Sequence, residues 1–514
     1  MLPWLLAGAL AAGGCRDGAE QARVEARDVG ARRLASLADA WASGDCGAVS
    51  RLSAGFESKS PTRRAAVSYW LGRCRYAADD FVAARTVFDA AAATAAGSTE
   101  GAFGRRALYW SGRARYRLGD SGGADAALER FVERFTWDRD ADDALYYRGK
   151  VRLRADDPEG ALGHFSVLLA WGERASPFRR AGATLQSGRA EAALAASGIP
   201  GAEARARAWF RRVATTFPDS AYTDDAAYRD ARLSAALGDA ATAEGALARF
   251  EAEFPASSWR DGAGYHRGRA LETLGRAAEA IALYEAFASD FPESPYLDNV
   301  DYRRGRVLFR LAEAADASDA PEAGTLYDAA RAAFAAFLDR YPESSLSTGA
   351  AYHLGRSHQA LGDGAAARAQ YARVLEDDTS VYRDNAAYAT GSSWYAEPGG
   401  RASALEAAIA AFASFLRAFP ESSYVDDAAY FTARALYRLR RVTEAEAAFG
   451  AFVETYPQSS YVDNALYYLV LLRSAEGDCE GARAALNALR GLSTPSPYAT
   501  EAASTVAACA GANR

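Results

Sequence analysis

Carboxylates recur in adjacent pairs along this chain, at Asp142-Asp143, Asp224-Asp225 and Asp426-Asp427. Such pairs can share a proton as a catalytic dyad or supply oxygen ligands to Ca²⁺. Each pair, however, stands in register at the start of a helical segment, where the positive end of the helix dipole favours negative charge. Helix initiation therefore accounts for them. His353 and His358 are five residues apart, not the three or four that place two side chains on one helical face, and no thiol or second ligand pair accompanies them. There is no Gly-rich phosphate loop and no Ser-His-Asp arrangement. The expectation is a chain without catalytic residues, metal or cofactor.

A basic constellation is left. Four residues after a recurring Tyr stand Arg73, Arg113, Lys150, Arg232, Arg269, Arg306, Arg356 and Arg434. That spacing puts Tyr and cation on one helical face, and stacked repeats would align them into a stripe. Two readings compete. The stripe is a groove for an acidic or carboxylate-bearing partner, with the tyrosines stacking alongside; or each cation is neutralised by acids of the neighbouring repeat, the more economical reading.

The elements that position these residues form a repeat. Phe419-Pro420-Glu421-Ser422-Ser423-Tyr424 returns 37 residues later as Tyr456-Pro457-Gln458-Ser459-Ser460-Tyr461. The aromatic-Pro signature also occurs at Phe217-Pro218, Phe254-Pro255, Phe291-Pro292 and Tyr341-Pro342, and the N-terminal third carries Tyr69-Trp70-Leu71-Gly72-Arg73, Tyr109-Trp110-Ser111-Gly112-Arg113 and Tyr146-Tyr147-Arg148-Gly149-Lys150. After each Tyr helix comes a break and a second helix with Ala and Phe on one face, such as Ala127, Phe131 and Phe135. The unit is a helical hairpin. Pro ends the second helix because it lacks the N–H donor and restricts the residue before it. Ser258, Ser423 and Ser460, each with Asp three places on (Asp261, Asp426 and Asp463), are expected to cap the next helix as a variant capping box.

Between Pro158 and Pro218 the pattern blurs into a divergent hairpin, with a weak first helix over Ala181 to Leu194. Residues Ala312 to Gly324 read as an acidic, flexible insertion between two helices. Composition agrees with an all-α chain: Ala is abundant, 50% of the 514 residues are hydrophobic and 24% charged. A net charge of −7 argues against a nucleic-acid partner, which calls for a basic face.

The hairpin period, the Tyr of the first helix, the Ala445-x-x-x-Phe449 of the second and the closing Pro resemble the tetratricopeptide repeat. The resemblance implies an α-solenoid, a right-handed superhelix of about twelve hairpins. The phrase Phe419 to Phe431 looks like the repeats of BamD-type outer-membrane-assembly lipoproteins and of Tol-Pal-associated YbgF-type proteins. The Tyr-Trp-x-Gly-Arg units are similar to the helical superhelix of soluble lytic transglycosylases. Glu343-Ser344 and Glu421-Ser422 match part of that enzyme family's catalytic motif, but each lies in a repeat turn and the rest of the motif is missing.

Residues 1–15, MLPWLLAGALAAGGC, are too short an apolar run to span a bilayer and read as an export signal. They resemble a bacterial lipoprotein signal, which implies lipidation of Cys15; Arg16 in place of Asp then implies the outer membrane. Ordinary secretion and a mispredicted start are the other readings. The remaining cysteines fall into pairs at matching places near the chain ends, Cys46 with Cys74 and Cys479 with Cys509. They are either two bridges suited to an oxidising compartment or four buried thiols.

The expected organisation is a signal (1–15), a tether (16–27), divergent helical repeats (28–216), regular repeats (217–491) and a capping helix with tail (492–514). The expected function is a non-enzymatic scaffold, held to the outer membrane by its lipid and facing the periplasm. It would recruit protein or peptide partners for outer-membrane protein assembly or Tol-Pal-linked division. An accessory role in peptidoglycan metabolism, holding glycan or a separate murein hydrolase, is the alternative.

Overall fold

Why the second helix of a hairpin begins where it does is visible in its first residues. A glycine in the left-handed region (φ 77° at Gly44, 81° at Gly119 and Gly238, 82° at Gly362, 83° at Gly477) turns the chain. The Asp that follows accepts a hydrogen bond from the backbone N–H three residues on, as Asp45 does from Ala48, Asp239 from Thr242 and Asp478 from Gly481.

The computed structural model describes residues 29–58, 60–95 and 101–512; the signal, the tether and Cys15 lie outside them. Among the described residues there are 25 α-helices and no strand. Twelve hairpins follow one another. The first four are α1 (Val29–Ala42) with α2 (Cys46–Ser53), α3 (Pro61–Ala77) with α4 (Phe81–Ala95), α5 (Ala102–Leu118) with α6 (Ser121–Arg134), and α7 (Ala141–Arg154) with α8 (Pro158–Ala170). Next come α9 (Pro177–Ala196) with α10 (Ala202–Thr216), α11 (Thr223–Ala236) with α12 (Ala240–Glu253), and α13 (Arg260–Thr273) with α14 (Ala277–Asp290). Then follow α15 (Leu297–Ala317) with α16 (Ala323–Arg340), α17 (Ser347–Ala360) with α18 (Gly364–Leu375), and α19 (Arg383–Tyr395) with α20 (Ala402–Ala418). The series closes with α21 (Val425–Arg438) and α22 (Val442–Thr455), α23 (Val462–Glu476) and α24 (Cys479–Arg490), and the capping helix α25 (Ala499–Ala512), which packs on the last hairpin. The chain divides into two compact units between Ala263 and Gly264.

In eight of the hairpins a large side chain of the second helix, aromatic in all but one, rests on a glycine of the first. A methyl group on Gly149 would fall 2.3 Å from the Phe165 ring, and one on Gly268 would fall 2.2 Å from the Tyr284 ring. No other residue allows that approach without movement. Phe165 and Tyr284 are accordingly buried, at 0% and 1% exposure. Cys46 and Cys74 are bonded, tying α2 to α3, and Cys479 and Cys509 are bonded, tying α24 to the cap.

Three expectations need correcting. Ser423 and Ser460 do not cap the following helices; the N-cap positions are Tyr424 and Tyr461, which make no side-chain cap bond. Their rings instead stack on the preceding hairpin, Tyr424 on Tyr388 (4.7 Å between centroids) and Tyr461 on Tyr430 (4.4 Å). It is the earlier serine of each pair that bonds in the turn, with Ser257 Oγ accepting from Trp259 N–H (3.1 Å) and Ser422 Oγ from Tyr424 N–H (3.4 Å). Second, Ala312 to Gly324 is not a loop: Ala312–Ala317 ends α15 and Ala323 begins α16, so the extra residues lengthen both helices and leave only 318–322 as the turn. Ala is the best helix former, and Ala312 and Ala315 are buried in the lengthened hairpin, where Tyr327 is buried as well. Third, the divergent first helix is α9, longer than expected and started by Ser176, whose Oγ accepts from Arg179 N–H.

Candidate partner-binding column

The cation column is built on the same glycine seat. In seven hairpins the glycine under the second-helix side chain is followed directly by a cation, and the Tyr stands three residues earlier in six of them. In the first unit Arg73, Arg113 and Lys150 are half-buried and Arg232 is exposed; in the second Arg269 is exposed, and Arg306, Arg356 and Arg434 are half-buried.

Each half-buried arginine but Arg306 donates to the hydroxyl of its own Tyr: Arg73 to Tyr69 (3.0 Å), Arg113 to Tyr109, Arg356 to Tyr352 (3.3 Å) and Arg434 to Tyr430 (3.2 Å). The guanidinium faces then meet rings of a neighbouring hairpin. Arg73 lies 3.9 Å from the centre of the Trp110 ring, Arg113 3.8 Å from Tyr147, and Arg434 5.0 Å from Tyr468. Lys150 sits 5.2 Å from Tyr116. Among the described residues acids neutralise two of the eight: Asp143 meets Arg113 at 2.9 Å and Glu313 meets Arg356 at 2.9 Å. Among the described residues Arg73, Lys150, Arg232, Arg269, Arg306 and Arg434 form no ion pair. The Arg269 and Arg306 guanidiniums each lie 5.9 Å from the ring of their own Tyr, Tyr265 and Tyr302.

Burial sets the electrostatics around the paired positions. Asp143 is shared by Arg113 and Arg179, and its burial pushes the carboxyl up to about 6 while Arg179 and Lys150 pull it down. Burial also holds the His353 imidazole down at about 3, helped by Arg306 and Arg356. Its ring stacks on Phe334 at 5.4 Å, and His358 lies one turn on, paired with Asp363 at 3.6 Å. Among the described residues no group of three or more His, Cys, Asp and Glu is placed to hold a metal ion, and no helix is long and apolar enough to cross a membrane. Glu343 and Glu421 are exposed in their turns.

One member of the column escaped the sequence reading. Arg189 follows Gly188, whose seat is filled by Phe210, so it occupies the column position of the divergent hairpin. Leu185 replaces the Tyr there, which hid it; the Gly-Arg dipeptide was the remaining signal. Burial lowers its pKa, with Arg229 adding to the effect.

Hairpins of this length, joined by glycine seats and aromatic stacks, define a tetratricopeptide-repeat protein, and the sequence pattern of that repeat matches residues 109–180. The chain belongs to the YfiO family of outer membrane lipoproteins, whose pattern matches residues 224–371 and 383–508, more than half of its length. Its functional class is that of a protein-interaction scaffold. No curated protein matches it. Similar solved structures include a tetratricopeptide repeat protein from Parabacteroides merdae (14% identity, 55% of this chain and 98% of that one, TM-score 0.36). Others are PilW, a type IV pilus biogenesis factor (16%, 46% and 97%, TM-score 0.37), and human IFIT1 (12%, 84% and 91%, TM-score 0.33).

Proposed function

We propose that this chain is a non-catalytic scaffold, anchored through Cys15 at the periplasmic face of the outer membrane, that recruits acidic segments of envelope proteins during outer-membrane protein assembly or division. The family's description as outer membrane lipoproteins supports the location. The observation that carries the binding role is the pair Arg269 and Arg306, cations of successive hairpins in one unit with no ion pair among the described residues. A guanidinium left unpaired in this way offers a bidentate fork to a carboxylate. Partners are protein or peptide; the membrane is met through the lipid only, and no nucleic acid is involved.

The test is the double variant Arg269→Glu with Arg306→Glu. It is expected to lose partner capture in cross-linked envelopes while helicity and melting stay as in the parent. Equal loss of capture and of melting temperature overturns the reading. Recovery of barrel-assembly or Tol components identifies the pathway; recovery of murein hydrolases or muropeptides in their place replaces the assembly role with one in peptidoglycan metabolism.

A further inference from the structure

The first unit contains a cation slot whose ligand is indicated by the next hairpin. Arg113 is sandwiched between Trp110 (5.3 Å) and Tyr147 (3.8 Å), donates to Tyr109, and holds the Asp143 carboxylate at 2.9 Å. One hairpin earlier the same sandwich recurs around Arg73, between Trp41 (5.1 Å) and Trp110 (3.9 Å), with Tyr69 accepting one N–H. Asp143 stands three residues before Tyr146; the residue three before Tyr109 is Arg106. The internal carboxylate is thus replaced by a second cation. Arg73 and Arg106 form no ion pair among the described residues, and the acids of the following turn are engaged elsewhere, Asp138 with Arg105 (3.2 Å) and Asp140 with Arg139 (3.8 Å). Burial raises the Asp140 carboxyl, with Asp138 adding to the effect, while Arg139, Arg106 and Arg73 act against it; by register Arg106 takes the place beside Arg73 that Asp143 takes beside Arg113.

A guanidinium set against two indole rings with one N–H fixed has lost part of its freedom before a ligand arrives, which lowers the cost of binding. Trp41, which closes one face, lies at the end of α1, five residues before Cys46, and Cys74 directly follows Arg73. The Cys46–Cys74 bond therefore ties the turn after Trp41 to the helix that carries Arg73. We propose that Arg73 and Arg106 form a receptor for a carboxylate carried by a partner peptide, closed by Trp41 and Trp110 and held in shape by the Cys46–Cys74 bond. The slot rests on the reading of the column as carboxylate-binding, but Arg73, Arg106 and Trp41 precede every residue matched by either family pattern.

The experiment is fluorescence anisotropy of a fluorescein-labelled tetraglutamate peptide with the purified full chain in detergent. Arg73→Gln and Arg106→Gln are each expected to weaken binding at least about tenfold, the loss that follows removal of one partner from a charged pair. Trp41→Leu, and reduction with dithiothreitol, are expected to weaken it severalfold, with acetate competing better than inorganic phosphate. Circular dichroism melts check folding, and Arg106→Gln carries the test if Arg73→Gln unfolds the chain. Binding unchanged in both arginine variants, or absent from the parent chain, overturns the proposal; stronger competition by phosphate overturns its ligand class. If only Arg269→Glu with Arg306→Glu weakens binding, the slot is refuted while the column reading stands.

Discussion

The Asp224 carboxylate accepts a hydrogen bond from Ser257 Oγ at 2.7 Å, joining the first helix of one hairpin to the turn that opens the next. The same tie links Asp142 to Ser176, Asp298 to Ser344 and Asp384 to Ser422, each at 2.8 Å, and Asp463 to Ser496 at 3.2 Å. In each Asp the other oxygen accepts from the next backbone N–H, as at Asp225 (2.8 Å) and Asn385 (2.8 Å). The acid thus serves its own helix start and the hairpin behind it. Because no hairpin buries its faces alone, such ties fix the stacking register.

From this geometry Ser422→Ala and Asp384→Ala are each expected to cost about 2 kcal/mol, because each removes two bonds: Ser422 Oγ donates to Asp384 and accepts from Tyr424 N–H, and Asp384 accepts from Ser422 and from Asn385 N–H. Ser257→Ala with Ser422→Ala should be additive, since the sites share no partner. Urea titration followed by helicity checks all three. Wild-type stability in Asp384→Ala would mean the tie contributes nothing.

Much of this is legible in the sequence. A 37-residue period with Pro at its end is enough to place twelve hairpins and a cap, because the period reports a unit that must stack. What was not legible lay between repeats. Ser257 and Asp224 are 33 residues apart, so a local capping pattern absorbed Ser258 and Asp261 instead. The acids of Ala312 to Gly324 suggested a loop, whereas its alanines, packed in the long hairpin, decided for helix. Which column cations are free was equally hidden, since it depends on side chains such as Glu313, 43 residues from Arg356.

Glycines in these helices differ in what they do. Gly268→Ala would drive a methyl group to 2.2 Å from the Tyr284 ring, and overpacking of that kind costs about 1 to 3 kcal/mol. Gly450, in the middle of α22, has nothing within 4 Å of its missing Cβ, so Gly450→Ala should stabilise by about 1 kcal/mol through helix propensity. Thermal melts of the two variants should therefore move in opposite directions. A fall in both would contradict the open space at Gly450.

His353 makes acid destabilising. Its ring is enclosed by Phe334, Phe309 (5.3 Å) and Tyr352 (5.4 Å), its Nδ1 has no hydrogen-bond partner, and its pKa is held at about 3. In the unfolded chain a histidine titrates near 6.5. Between these values the unfolded chain binds a proton that the native one refuses, so this contribution is intact above about pH 6.5 and stability falls as pH drops. The slope is about 1.4 kcal/mol per pH unit. Comparing urea midpoints at pH 7 and pH 5, His353→Phe should flatten the dependence seen in the parent; an unchanged slope would assign the acid sensitivity to other groups.

Reduction acts at the two ends separately. Each bond closes a separation of 28 or 30 residues, worth about 3 to 4 kcal/mol in a chain-entropy treatment. Cys479→Ala with Cys509→Ala should release α25, exposing the seam of Leu466, Leu486 and Val506, while leaving the first unit protected. Hydrogen exchange read by mass spectrometry should show the loss confined to the C-terminal hairpin and cap.

Paired and free members of the column should respond differently to loss of charge. Arg113→Gln removes a guanidinium that holds the Asp143 carboxylate at 2.9 Å, with side chains only 16% and 12% exposed, and leaves that carboxylate to Arg179 and the charge of Lys150. Loss of a charged hydrogen bond at such a site costs about 1.5 to 3 kcal/mol. Arg269→Gln removes an exposed side chain that lies 5.9 Å from its own Tyr265 ring and forms no ion pair among the described residues, and surface changes of that kind stay within about 0.5 kcal/mol. The melting temperature should therefore drop for Arg113→Gln and hold for Arg269→Gln. If Arg269→Gln melts as low as Arg113→Gln, Arg269 is part of the framework and not a free cation, and the column loses one of the two residues on which partner binding rests.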